Sequence, residues 1–427
     1  MTYPTSTLDR PFSVASGRRA LNPGPVGAAV SALVLGALYL SAVVSWRQAA
    51  LFLVGGAAGV VLYHAAFGFT SAWRVFVADG RGAGLRAQML MLAVTCLVFI
   101  PALGSGHLLG QAVRGSVSPV GWSVVAGAFL FGVGMQLGGG CASGTLYTAG
   151  GGNTRMLVTL LFFIAGSVIG AAHMPWWEKV PALKPISLVV RFGTVPALAM
   201  SLSGFGLIAL ATLLIERRRR RGMPDRSDDV HYHTLRGPWP LAAGALGLAL
   251  VNVATLALAG RPWGVTSAFA LWGSKAIAAL GVNVASWPYW TPAARAAELK
   301  ASVFRDITSV MDVGIVLGAL AAAGLAGRFA PAWRVPARSL VAAVVGGLFL
   351  GYGARIAYGC NIGAYFSGIA SASVHGWLWL AAGFAGSAVG TRLRPFFGLR
   401  IERTDEARTE EAVTGEVRTG QAGRRLP

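Results

Sequence analysis

The sequence predicts an all-α polytopic membrane protein of about ten spans, arranged as two inverted repeats whose helices break and re-enter within the bilayer. Composition is the first reason. Of 427 residues, 55% are hydrophobic and 12% charged, whereas an average soluble domain is about 25% charged. Second, apolar runs of about 18 to 22 residues recur along the chain, the length that crosses about 30 Å of hydrocarbon. Third, one motif occurs twice, 219 residues apart. Gly132, Gly134, Gly140, Cys141 and Gly144 return in register as Gly351, Gly353, Gly359, Cys360 and Gly363.

Taken in order, residues 1–23 carry Arg10, Arg18 and Arg19 and read as a cytoplasmic tail with no cleavable signal pattern. The first membrane half, 24–215, holds spans near 26–45, 49–67, 87–104, 119–138, 155–174 and 194–215. Its second span runs into Gly68-Phe69-Thr70-Ser71-Ala72, and its fourth into the Cys141 motif. Trp176, Trp177, Lys179 and Lys184 make an interfacial belt. Residues 216–238 form a basic cytoplasmic linker that contains the run Arg217 to Arg221. The second half, 239–391, has spans near 240–260, 308–327, 338–357 and 374–391. Gly264-Val265-Thr266-Ser267-Ala268 nearly copies Gly68 to Ala72, and an extra Trp- and Pro-rich stretch, about 270–305, follows it. Ala385 to Gly390 echoes Ala165 to Gly170, and residues 392–427 read as a disordered cytoplasmic tail.

If the segment after Thr266 only dips into the membrane, five spans separate equivalent points, and an odd number inverts the repeat. The N-tail, the five-arginine linker, the Arg328/Arg334/Arg338 loop and the C-tail then all face the cytoplasm, as the positive-inside rule prefers. Counting 265–285 as a full span would make the halves parallel and move the basic C-tail outside. The formal charge of +20 is thereby assigned to loops and tails beside anionic lipid rather than to nucleic acid. The expected setting is a bacterial-type inner membrane. Three cysteines with no CxxC spacing give neither a disulfide framework nor a zinc signature, and no cofactor motif is present.

The chemistry concentrates at the breaks. Glycines such as Gly139, Gly140 and Gly359 leave amides uncovered, and the start of a short re-entrant helix favours an anion. Cys141 and Cys360 sit in these runs. In a low dielectric a thiol stays protonated, and a neutral S–H donates weakly to a soft sulfur-bearing anion that a thiolate would repel. Gln136 and Asn361 are the polar side chains beside them. Gly68, Thr70, Ser71, Thr266 and Ser267 mark the other two breaks, where hydroxyls can meet a substrate or glue helices together. Arg355, five residues before Cys360, is a costly intramembrane charge that contacts either substrate or a headgroup. Asp312 lies about a turn and a half into its span and is a candidate proton carrier. Asp306 suits capping or pairing with Lys300 or Arg305. Cys96, alone in mid-span, reads as a small hydrophobe.

Gly-Gly-Gly-Cys141-Ala-Ser-Gly-Thr-Leu-Tyr and Gly-Cys360-Asn-Ile-Gly-Ala-Tyr-Phe-Ser-Gly resemble the paired signatures of the YeeE/YedE-like sulfur-transport family. Gly-Phe-Thr-Ser-Ala-Trp-Arg74 and Gly-Val-Thr-Ser-Ala-Phe-Ala-Leu-Trp-Gly273 fit it too, so that the resemblance spans roughly 49–391. It implies uptake of a reduced sulfur compound, with thiosulfate the best attested, through an hourglass of inverted halves. Cys141 and Cys360 would line the pathway, and a small cytoplasmic sulfurtransferase would be a partner. The thiosulfate branch carries a further cysteine in the first break, where this chain has Gly68. The expected substrate class is therefore a small sulfur-containing anion, or a selenium analogue, rather than thiosulfate alone. The alternative is a membrane thiol enzyme of sulfurtransferase type using the same cysteines, and a third reading is a structural scaffold.

Overall fold

The computed structural model describes residues 20–219, 232–331 and 335–401. Most of the expected N-tail with its arginines, Arg220 and Arg221 of the linker, Arg334, and the C-tail from residue 402 lie outside the described residues. The first half opens with α1 (Pro23–Val43) and α2 (Trp46–His64), breaks over 65–68, and resumes as the short α3 (Phe69–Asp79). α4 (Ala83–Ser105) and α5 (Trp122–Gly138) follow; after a second break over 139–141 comes α6 (Ala142–Gly150). α7 (Thr154–Trp177), α8 (Leu188–Phe192) and α9 (Thr194–Arg219) complete this half.

The second half repeats the plan. α10 (Leu241–Ala259) breaks over 260–265 and continues as α11 (Thr266–Ala279), followed by α12 (Ala293–Lys300). Then come α13 (Ile307–Leu325) and α14 (Ala337–Ile356). The last break, over 357–360, leads through a π-helical turn, Asn361–Phe366, into α15 (Ser367–Ala370), and α16 (Val374–Leu393) closes the bundle. Strand is confined, among the described residues, to two short antiparallel pairs in loops, Val120–Gly121 with Ala182–Leu183 and His107–Leu108 with Gln111–Ala112.

Long helices fall at all ten expected positions. Nine stretches among the described residues are long and apolar enough to cross a membrane. α16 is the exception: its 20 residues include His375, two tryptophans and several glycines, which lower its mean hydropathy. α11, at 14 residues, rises only about 21 Å at 1.5 Å per residue, too short to cross. The expected boundary at residue 391 falls inside α16, and Arg394 just beyond it is buried.

Glycine faces decide how the long helices meet. A Cβ on Gly132 of α5 would lie 2.1 Å from the Gly383 carbonyl of α16; one on Gly351 of α14 would lie 2.1 Å from the Phe163 carbonyl of α7. Gly166 of α7 meets Leu348 of α14 just as Gly386 of α16 meets Phe129 of α5. The contacts exchange: what one copy of the motif does to the other half, the other copy does in return. At the centre α5 and α14 run antiparallel, with Gly127 against Gly353 and Ile356, and Gly134 against Gly346 and Leu350. Only backbones without Cβ atoms approach this closely. Around this centre lies an aromatic core of Phe69, Trp73, Phe131, Phe163, Phe269, Tyr365 and Trp379, all fully buried. α1 flanks it against α13 and α9 flanks it against α4, and both expose leucines outward, such as Leu35, Leu38, Leu207 and Leu210.

Candidate substrate pathway

α5 stops because Gly139 turns left-handed, φ +93°, and its N–H closes on the Met135 carbonyl at 3.1 Å. The break leaves the last carbonyls of α5 without helical partners. Arg155, from the first turn of α7, donates to the Leu137 carbonyl at 2.6 Å and the Gly138 carbonyl at 2.7 Å. A buried guanidinium here satisfies orphaned backbone acceptors. Cys141 then caps α6. Its Sγ accepts from the Gly144 amide at 3.4 Å and lies 3.5 Å from Ser143 Oγ. The Cys141 carbonyl receives the Thr145 amide and hydroxyl, both at 2.8 Å.

The second copy turns at Gly359, φ +149°, a conformation open to glycine alone. Trp379 Nε1 fixes that turn by donating to the Gly359 carbonyl at 3.1 Å. Cys360 begins a π-helical turn rather than an α-helix, its carbonyl shared between the Ala364 amide at 2.8 Å and the Tyr365 amide at 3.3 Å. No side-chain bond from Cys360 caps it. Asn361 is fully buried, and neither its Oδ1 nor its Nδ2 has a hydrogen-bond partner among the described residues.

Both Thr-Ser breaks are tied to the cysteine copies by matching bonds. Gln136 Nε2 donates to the Thr70 carbonyl at 3.1 Å, and Arg355 Nη2 donates to the Thr266 carbonyl at 3.2 Å. Gln136 and Arg355 are 219 residues apart, the spacing of the repeat. Gln136 also donates to Ser387 Oγ at 2.7 Å and accepts from Arg74 at 3.4 Å. Arg355 instead donates to the Tyr289 hydroxyl. Ser71 Oγ folds back on the Gly68 carbonyl at 3.2 Å, and Ser267 Oγ bonds Thr308 Oγ1 at 2.9 Å. Thr70 Oγ1 is buried and has no hydrogen-bond partner among the described residues.

The Cys360 segment joins the two breaks. Gly363 lies against Gly264, and Ser367 Oγ donates to the Trp263 carbonyl at 2.7 Å. On its other side the Tyr365 ring meets Phe69 and Trp73 edge-on, each at 5.9 Å between centroids. A cavity of about 210 Å³ opens at the first break, lined by Gly68, Ser71, Gln88 and Arg81 among others and by neither cysteine. The thiols are 2% and 0% exposed; they face protein rather than the outer surface.

Asp312 is fully buried, and neither carboxylate oxygen has a hydrogen-bond partner among the described residues. On α13 it shares a face with Ser309, bonded to Trp272 of α11, and with Val316, packed on Gly150 of α6. Asp312 and Cys141 are both close enough to act electrostatically on Cys360. Asp306 caps α13, accepting from the Ser309 amide at 2.8 Å and hydroxyl at 2.6 Å. Cys96 is a packing residue, 4.0 Å from the Ile369 carbonyl.

A family model described as sulphur transport matches residues 64–389. The chain belongs to the sulphur transport family. Among similar proteins, the "Thiosulfate transporter TsuA" of Spirochaeta thermophila is 27% identical over 342 residues, covering 76% of this chain and 92% of that protein. The "Probable transporter YedE" of Salmonella typhimurium is 30% identical and that of Escherichia coli 29%, each over 166 residues and 38% of this chain. The match spans only 40% of the length of each YedE protein.

Arg74, Arg155 and Arg394 are buried, and sequence reasoning did not single them out. Arg394 Nη1 donates to the Gln136 carbonyl at 2.7 Å, so it and Arg155 both hold the end of α5. The one available signal was position: each arginine follows closely on a glycine break or a helix end.

Proposed function

We propose that this protein imports a small sulfur-containing anion, thiosulfate or a sulfur or selenium relative, between two inverted halves. The anion enters at the second break, passes Cys360 and then Cys141, and leaves beside the cavity at Gly68. The carrying observation is the pair of buried thiols at matching turns, joined to both Thr-Ser breaks through Tyr365, Gly363, Gln136 and Arg355. Antiparallel α5 and α14 support the inversion, since these are corresponding helices of the two halves. The backbone amides of Asn361, Gly140 and Ala142 orient the anion, and the neutral S–H groups of Cys360 and Cys141 pass it on by weak donation. Both termini and the arginine linker face the cytoplasm, as the distribution of basic residues requires. A small cytoplasmic sulfurtransferase would consume the product.

Energetics constrain the cycle. Moving a dianion inward against 100 mV costs roughly 4 to 5 kcal/mol at about 2.3 kcal/mol per charge. Asp312 is placed to carry a compensating proton. The test is uptake of ³⁵S-labelled thiosulfate, sulfide and sulfite in cells lacking their own importers. Uptake should fall to background with Cys141→Ala or Cys360→Ala, and undiminished uptake in the double variant sinks the thiol relay. Reporters fused after Arg221 and Arg394 should both read as cytoplasmic.

A further inference from the structure

The extra stretch between α11 and α13 is not absorbed by the pathway so far described, although it sits on it. Tyr289 from this stretch lies between two guanidiniums, with Arg295 Cζ 4.2 Å and Arg355 Cζ 5.5 Å from its ring centroid. Arg295 donates to the Tyr289 carbonyl at 3.2 Å, and Arg355 to the Tyr289 hydroxyl and the Thr266 carbonyl. Arg261, in the break itself, donates to Thr308 Oγ1 at 3.2 Å. Every one of these acceptors is neutral. Among the described residues no ion pair reaches Arg261, Arg295 or Arg355; the ion pairs seen, Arg81 with Asp79 and Arg86 with Glu216, involve other elements.

Two acids are close by, both within electrostatic range of Arg261, and they offset part of the cluster's charge without forming an ion pair to it. Asp306 is committed to capping α13. Glu298 of α12 is within electrostatic range of Arg261, Arg295 and Arg355; loss of water around it, and then the like charge of Asp306, push its carboxyl above its ordinary value against their pull. Three guanidiniums bonded only to neutral acceptors thus stand beside the second break with two carboxylates in range, an excess of one positive charge. Such clusters select planar or tetrahedral oxyanions through forked N–H donation.

We propose that Arg261, Arg295 and Arg355 form an oxyanion-capture site at the entrance to the second break, with Glu298 as a built-in competitor for the same guanidiniums. The site rests on the transport reading for its biological use, and it deepens that reading by naming what recruits the substrate. Arg355 stands five residues before Cys360, at the end of α14, with the last break between them. The thiols would then discriminate sulfur from oxygen, while the arginines select only charge and shape. Thiosulfate and sulfate should both bind at the capture site.

The test is equilibrium binding of thiosulfate and of sulfate to the purified full-length protein in detergent at pH 7, read by tryptophan fluorescence, since Trp290 packs on Tyr289 at 4.9 Å. Arg261→Gln and Arg355→Gln should each weaken binding of both anions by about tenfold. Glu298→Gln should tighten it by a few-fold. Arg355→Lys, which keeps the charge and guards against misfolding as the cause, should recover part of the loss. Unchanged affinity in both glutamine variants, or weaker binding in Glu298→Gln, overturns the capture site. If binding behaves as stated but the wild type takes up no sulfur anion, the transport reading fails and the capture site stands. If uptake depends on the cysteines but the arginine variants bind normally, the reverse holds.

Discussion

Cys141 and Cys360 occupy matching turns 219 residues apart, and their thiols meet different surroundings. Cys141 is bonded: it caps a regular α-helix and has Ser143 and Gly144 for partners. Cys360 opens a π-helical turn with no such cap, beside an Asn361 whose polar atoms are unpaired. Gln136 in one copy is Arg355 in the other. Cys96 packs near Ile369 as Val316 packs on Gly150, so four residues earlier Leu92 stands where the second half has Asp312. The backbone and its glycine contacts repeat, while the ionisable groups do not. Direction in a two-fold arrangement has to come from such differences, because a perfectly repeated pathway would have no preferred end.

The repeated part is the easiest to break. Gly132→Leu and Gly351→Leu each drive a side chain into a backbone carbonyl that would be 2.1 Å from the new Cβ. Overpacking ordinarily costs about 1–3 kcal/mol and more where backbone must move. Both variants should lose folded protein, measured as yield and thermal unfolding in detergent. The comparison sharpens if the two losses match, since the contacts exchange. A large loss at one site and none at the other would show that the halves are not packed as equivalents.

That prediction rests on what the sequence displayed well. Apolar runs set the long helices, and glycines, clustered at the Cys141 motif and sparser at the other breaks, mark where they stop, because each is a local property of composition and spacing. The dip after Thr266 was readable from the same logic, and α11 is indeed too short to cross. The buried arginines were not readable. Arg155 looks like a charge at a helix start; its reason to be inside is the pair of carbonyls at Leu137 and Gly138 that exist as orphans only once the chain has folded. The partner of Arg355 was hidden in the same way, because Tyr289 lies 66 residues away in sequence within a stretch that no repeat pattern predicts. Asp312 could be noticed as a charge in a span, but its lack of partners could not.

Asp312 gives the next largest effect, on transport rather than on folding. If it carries the compensating proton, Asp312→Asn should abolish uphill accumulation in proteoliposomes driven by an inward proton gradient, while substrate exchange between the two sides persists. One pH unit is worth about 1.4 kcal/mol per proton, a factor of about ten in accumulation. The wild type should show a gain of that order, and the variant none. Asp312→Leu, which copies the residue at the matching place in the first half, should behave likewise and fold at least as well, since an unpaired buried carboxyl is removed. Accumulation that stays proton-driven in both variants would remove this difference between the halves from the mechanism.

The smallest effect separates the two cysteines by stability alone. Serine is among the best residues at the first position of a helix, and its oxygen accepts from the amide two or three residues on more strongly than sulfur does. Cys141→Ser keeps a cap already present at Gly144, so it should hold stability within a few tenths of a kcal/mol or raise it. At Cys360 no side-chain cap closes, and the Gly363 and Ile362 amides lie near the sulfur without capping geometry. A buried hydroxyl placed there in the π-helical turn needs a partner, and without one it costs about 1–3 kcal/mol. Thermal unfolding of the two single serine variants should therefore differ in sign or clearly in size. Equal shifts would mean that the π-helical turn at Cys360 relaxes to an α-helix when its first residue can cap it, and the distinction between the two thiols would then lie in their neighbours Ser143 and Asn361 alone.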